Sequence, residues 1–241
     1  MYAFRGRTSK CLLLILTLCF FSGTGFYFAK QMREGRPVEP VIVFFDGAIQ
    51  AAYLSCPVEL ERHKPAFDVE GRGRLNSCQS ILHDRDPREA LEAARELMAD
   101  YAPCFLLDAL RHATPSRQSH FDHGRLGPDL RDHLVLTSFA SSLGPRHLHV
   151  EYKFGDLKPS NVSALSQRLT VETTDWFYDI RIVAATDVDG DGNEDLLALF
   201  FDEAKDASYK TVAPLIFTRS AVNGPILAKE IAVAKNGTRR R

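Results

Sequence analysis

From about position 133 the chain alternates apolar and polar residues with a period of two, most plainly at Leu148, Val150, Tyr152 and Phe154, which share one face of an extended segment. The same reading predicts strands over 133–140, 146–154, 165–172, 176–185, 195–201, 210–218 and 225–235, separated by short Gly, Pro, Asn or Asp signals. Connections that short join antiparallel neighbours. Upstream the period is that of a helix. Asp86 can cap one and Pro87 suits its first turn, and Leu91, Ala94, Leu97, Met98 and Tyr101 then recur on a single apolar stripe. Pro103 interrupts this stripe, and a second short helix is expected over 105–111. The pattern predicts an α+β fold, N-terminal helices followed by a mainly antiparallel β-sheet. It forms one domain over 41–241, with a helical part over 41–130 and a β-rich part over 131–241.

The N-terminus has a pattern of its own. Arg5, Arg7 and Lys10 precede an apolar run from Cys11 to Phe21, the layout of a basic n-region and a hydrophobic h-region. Residues 1–29 read as a signal peptide or a signal anchor, and 30–40 as a linker. Ser22-Gly23-Thr24-Gly25 offers small residues for cleavage after Gly25, while an uncleaved helix over 11–29 would measure about 28 Å, close to the hydrocarbon core of a bilayer. Either way the domain is expected outside the cytoplasm: secreted, periplasmic or membrane-anchored. Lipidation at Cys19 is disfavoured, because Leu18 occupies the place of a small residue. An oxidising compartment lets cysteines pair. Beyond the targeting segment lie Cys56, Cys78 and Cys104; the first two have polar, turn-like flanks, whereas Cys104 sits in an apolar stretch. A Cys56–Cys78 bridge is therefore expected, the alternative being three reduced thiols.

One short segment carries recognisable chemistry. Asp187, Asp189 and Asp191 alternate through Asp-Val-Asp-Gly-Asp-Gly and are followed by Asn193, Glu194 and Asp195, so five acids fall within nine residues. A hard cation such as calcium takes six to eight oxygens, which a tight loop supplies only when carboxylates converge and the backbone folds back on itself. Gly190 and Gly192 allow that folding. The expected ligands are the side chains of Asp187, Asp189, Asp191 and Asp195 and the backbone carbonyl of Asn193, with Glu194 pointing away. An EF-hand is excluded, because the twelfth position from Asp187 is Ala198 rather than Glu and the flanks are strand-like. The segment 182–199 instead resembles the calcium loop of FG-GAP/VCBS-type repeats, in which a D-x-D-G-D-G-x-x-D turn joins two strands, as in integrin-α-like propellers. The resemblance rests on Asp187, Asp189, Gly190, Asp191, Gly192 and Asp195. It implies a calcium-loop hairpin. The chain carries a single copy, so it implies no closed propeller.

Composition narrows the function classes. With 30 Lys+Arg against 31 Asp+Glu the formal charge is −1, and no long block of one sign occurs, so a nucleic-acid partner is not expected. The favoured function is an exported or membrane-tethered calcium-binding interaction protein, with calcium structural and the partner a protein or glycan outside the cytoplasm. Two other classes stay open. One is an extracytoplasmic metal-dependent hydrolase using His120, His123, His147 and His149, although no HExxH or HxxEH spacing is present. The other is a scaffold subunit of a membrane-attached assembly, for which residues 11–29 would be the working element.

Overall fold

Strands of ten and eleven residues form the centre of the sheet, and their nearly unbroken apolar runs are explained by packing on both faces. The computed structural model describes residues 41–70, 73–84, 90, 97–139, 141–142, 153–157 and 159–231. These belong to a unit spanning 39–241. In chain order the elements are β1 (Val43–Phe44), α1 (Gly47–Leu54), α2 (Cys56–Glu61), β2 (His63–Val69), β3 (Gly73–Ser77), α3 (Cys78–Leu82), α4 (Met98–His112) and α5 (Leu126–His133). Short 3-10 turns at Leu136–Ser138 and Phe154–Leu157 precede β4 (Asn161–Ala164), β5 (Arg168–Glu172), β6 (Trp176–Thr186), β7 (Asp195–Ala204), β8 (Lys210–Thr218) and β9 (Leu227–Glu230). The class is α+β, and the main sheet is antiparallel throughout the order β4-β5-β6-β7-β8-β9.

Side-chain direction follows the pleat. Tyr178, Ile180, Ile182, Ala198, Phe200 and Leu215 face one way and pack with Leu126, Leu130, Leu134 and Phe139. Val183, Ala184, Leu197 and Ile216 face the other way and pack with Ile49, Leu106 and Leu110 of α1 and α4. A bulge between Ile182 and Ala184 lets two consecutive residues, Val183 and Ala184, point at α4. There β1 joins the flank of β6 beyond the end of β5, with Val43 opposite Ala185 and Phe44 opposite Ala184. A third cluster lies apart: the β2–β3 hairpin covers Cys56, Leu60, Ile81, Tyr101, Cys104 and Phe105, and the Tyr101 hydroxyl donates to the Pro65 carbonyl at 2.8 Å.

Several expectations are corrected. Helices are not confined to the N-terminal part, and sheet is not confined to the C-terminal part. β1 belongs to the main sheet, the β2–β3 hairpin falls within 41–130, and α5 crosses the expected boundary at 130. The helix interruption at Pro103 does not occur, since α4 runs from Met98 to His112 straight through it. Pro103 withholds an N–H from the Ala99 carbonyl, a defect costing about 3 kcal/mol. The burial of Tyr101, Ala102, Cys104, Phe105, Leu106, Leu107 and Leu110 on that one helix outweighs it. Of the expected helix from 86, residues 86–89 and 91–96 lie outside the described residues, and Met98–Tyr101 are helical.

The strand expected over 133–140 is instead the end of α5 and a 3-10 turn. There the Ser138 hydroxyl donates to the Val135 carbonyl at 2.6 Å and accepts the Ala228 N–H at 2.8 Å, closing a turn that a strand could not keep. Most of the strand expected over 146–154 lies outside the described residues. Within the strand expected over 165–172, residues 168–172 form β5, and the pairing strand β4 at 161–164 was not expected.

The bridge is also corrected. Cys78 is bonded to Cys104, with Cα atoms 5.2 Å apart, and Cys56 is a buried free thiol whose pKa is pushed up chiefly by burial. Apolar neighbours had marked Cys104 as a packing residue, but they also press α4 against α3, where Cys78 opens the helix. Among the described residues no helix is long and apolar enough to cross a membrane.

Candidate metal centre

Beyond the bulge, strands β6 and β7 stay paired up to Thr186 opposite Asp195, so the eight residues 187–194 must reverse the chain. They do so with Gly190 at φ +82° and Gly192 at φ +90°, conformations that side chains with a Cβ rarely adopt. Asp187 organises the bend. Its Oδ1 accepts the Gly190 N–H at 2.7 Å, and its Oδ2 accepts the Gly192 N–H and the Thr114 hydroxyl, each at 2.9 Å. Asp195 accepts the Val188 N–H at 3.0 Å from across the loop. Asp189 accepts the Asp191 N–H at 3.3 Å and pairs with Lys229 of β9 at 3.2 Å.

Asp187, Asp189 and Asp195 each present a carboxylate oxygen within 4.8 Å of the others. Two of the three are nearly inaccessible, Asp187 and Asp195 at 2% each. Burial pushes the Asp195 carboxyl up to about 7, with Asp189 and Asp191 adding repulsion and the Val188 N–H and Lys229 opposing it. Asp191 and Asn193 stand apart from this trio. The Asp191 carboxylate accepts the Asn193 N–H at 2.7 Å and its side-chain amide at 3.0 Å, which hold that exposed carboxyl below the usual range. Glu194 turns to the opposite side, where it accepts the Ser119 hydroxyl at 2.6 Å and meets His123 Nε2 at 2.8 Å.

A second segment, not foreseen from the sequence, holds the loop from outside. The stretch after α4 lies along the bend: Thr114 N–H donates to the Asp187 carbonyl at 2.7 Å, Arg117 N–H to the Gly192 carbonyl at 2.7 Å, and Glu194 N–H to the Gln118 carbonyl at 2.7 Å. Thr114-Pro115-Ser116 reads locally as a helix terminator only; nothing in it signals a partner more than seventy residues on.

Among the described residues the alternative histidine site is not seen to assemble. His123 is committed to Glu194, His120 belongs to no convergent group of three metal-ligating side chains among the described residues, and His147 and His149 lie outside those residues. An all-carboxylate oxygen set suits a hard divalent cation rather than zinc or copper. The fold and the site thus define an α+β protein with a mainly antiparallel sheet and, among the described residues, an acidic cluster at a hairpin end that could hold a metal ion. The chain matches no protein-family model, no curated protein and no solved structure.

Proposed function

We propose that this is an exported or membrane-tethered calcium-binding interaction protein, in which the ion orders the β6–β7 hairpin and takes no part in chemistry. The observation that carries the reading is the convergence of Asp187, Asp189 and Asp195 on one point of a two-glycine bend. Three carboxylates balanced by the single Lys229 leave an excess of negative charge, which a divalent cation neutralises. The FG-GAP/VCBS-like spacing of 182–199 agrees with calcium as the guest, and Asp191 and the Asn193 carbonyl, two and four residues from Asp189, can complete the oxygen shell once their mutual hydrogen bonds are exchanged for the ion. The Cys78–Cys104 bridge and the basic-then-apolar N-terminus favour a place outside the cytoplasm. The partner class is a protein or glycan in that compartment.

Extracellular modules bind calcium with Kd of about 10⁻⁴–10⁻³ M, so about 1 mM calcium on a 10⁻⁴ M site stabilises the fold by about 1.4 kcal/mol. On a chain of this size that raises Tm by about 3–6 °C. Thermal melts in EDTA and in 1 mM calcium measure it. The rise is expected in the wild type and not in Asp189→Asn or Asp195→Asn; equal melts of the wild type in both buffers would remove the calcium reading.

A further inference from the structure

The far end of the sheet from the acidic loop presents a pair of arginines held side by side on one buried carboxylate. Asp179 of β6 has no exposed surface, and it accepts Arg168 Nε and Nη2 at 2.8 and 2.9 Å and Arg181 Nε at 2.6 Å. The two arginines are direct cross-strand neighbours, an arrangement of like charges that is unfavourable unless something fixes it. Asp179 does so, yet two guanidinium groups against one carboxylate leave a net positive charge. Their remaining nitrogens, Nη1 of Arg168 and both Nη of Arg181, have no partner among the described residues. Both side chains are nearly half exposed, 45% and 48%.

Among the described residues no helix is packed over the sheet face around them. Asp179 and Arg181 alternate with Tyr178 and Ile180, which are buried in the core on the opposite face. On their own face the apolar cluster beneath α4 reaches Leu199 and no farther: Phe177 and Phe201 are half-buried and belong to no cluster among the described residues. Arg181 lies over the Phe201 ring at 4.3 Å, which fixes its plane. Neighbouring Glu172 and Glu203 are already paired with Lys205 and Lys210. The unmatched charge is thus the arginine pair itself, preorganised and bordered by aromatic faces.

We propose that Arg168 and Arg181 form a docking surface for an acidic peptide segment, whose carboxylate meets the Nη groups that Asp179 leaves over. This rests on the interaction-protein reading above and names its surface. A carboxylate rather than a phosphate fits because one residual positive charge matches a monoanion, and the planar guanidinium fork matches a planar carboxylate. A peptide rather than a free acid fits because the half-buried Phe177 and Phe201 beside the arginines offer apolar surface that the rest of a peptide can cover.

The test is fluorescence anisotropy of a labelled hexaglutamate peptide against the calcium-loaded full chain in about 50 mM salt, where surface charge is little screened. Binding is expected for hexaglutamate and not for hexaglutamine. Arg181→Gln, which leaves Asp179 its bidentate partner Arg168, is expected to weaken binding at least tenfold; Arg181→Lys, keeping the charge without the fork, at least threefold. Should the Gln variant melt early, the Lys variant decides. No hexaglutamate binding to the wild type, equal binding by the Lys variant, or displacement by inorganic phosphate but not by acetate would overturn the proposal. The calcium-dependent rise in Tm is read separately, so either inference can fail alone.

Discussion

At the scale of single residues, Asp195 has two opposed effects on the acidic loop. Burial raises its carboxyl to about 7, so in the absence of a cation the folded chain holds a proton that the unfolded chain releases near 3.8. The sign is the reverse of the usual aspartate: this contribution is fully present below about pH 4 and is lost as pH climbs from there to about 7. Its size is on the order of 4 kcal/mol at 2% exposure. Asp202, also raised by burial against the Ser142 N–H and hydroxyl, adds in the same direction. Asp132 and Asp191 are shifted down, but both are exposed and screened. In EDTA, therefore, urea melts at pH 4.5 and 7.5 are expected to show wild-type stability falling by several kcal/mol relative to Asp195→Asn, which carries no titrating carboxyl there. Calcium at pH 7.5 is expected to recover part of the wild-type loss, since the ion takes the place of the proton. A pH slope identical in the two proteins would show that Asp195 is ionised without penalty.

At the scale of elements, the loop is a hairpin whose geometry depends on glycine and on a strap supplied by another part of the chain. Gly192 sits at φ +90°, and an added Cβ would lie 3.5 Å from the Arg117 side chain, an ordinary contact. The strain of Gly192→Ala is then conformational, and it is expected to cost about 1–2 kcal/mol. Gly47→Ala, at the open first turn of α1 with nothing near its Cβ, is expected to be neutral or slightly stabilising. Denaturant midpoints of the two variants check the contrast. The same loop is only partly legible in the sequence. The Asp-x-Asp-Gly-Asp-Gly spacing located Asp187, Asp189 and Asp195, because convergence of carboxylates follows from a local bend. It did not foresee Asp191 turning to Asn193, where two short local hydrogen bonds compete with the cluster, nor the Thr114–Gln118 strap, which only tertiary packing supplies. Strands β6, β7 and β8 lie where extended segments between turn signals were expected, over 176–185, 195–201 and 210–218, whereas β1, of two residues, has no period to detect. The continuity of α4 was hidden by Pro103, whose cost is visible in sequence while the burial that offsets it is not.

For the whole molecule, α4 is shared by two of the three apolar clusters. Its first half, with Tyr101, Cys104 and Phe105, packs under the β2–β3 hairpin, and its second half, with Leu106, Ala109 and Leu110, packs on the main sheet. Its C-terminal end then runs directly into the strap at Thr114 that holds the acidic bend. The Cys78–Cys104 bond spans 26 residues and ties the hairpin's helix α3 to this shared element. In the chain-entropy account a loop of that length stabilises by about 3–4 kcal/mol. Cys78→Ala/Cys104→Ala is therefore expected to lower Tm well beyond the calcium increment, by roughly 6–15 °C on the usual size scaling. Because α4 carries the strap, the double variant is also expected to bind calcium more weakly than the wild type, while Asp195→Asn, which acts on the loop alone, leaves the disulfide intact. A non-reducing peptide map should join the fragments bearing Cys78 and Cys104, and Cys56, buried with its thiol pKa raised, should alkylate only after unfolding. If the double variant kept wild-type calcium affinity, the hairpin cluster and the acidic loop would be energetically independent, and α4 would join them in space without coupling them.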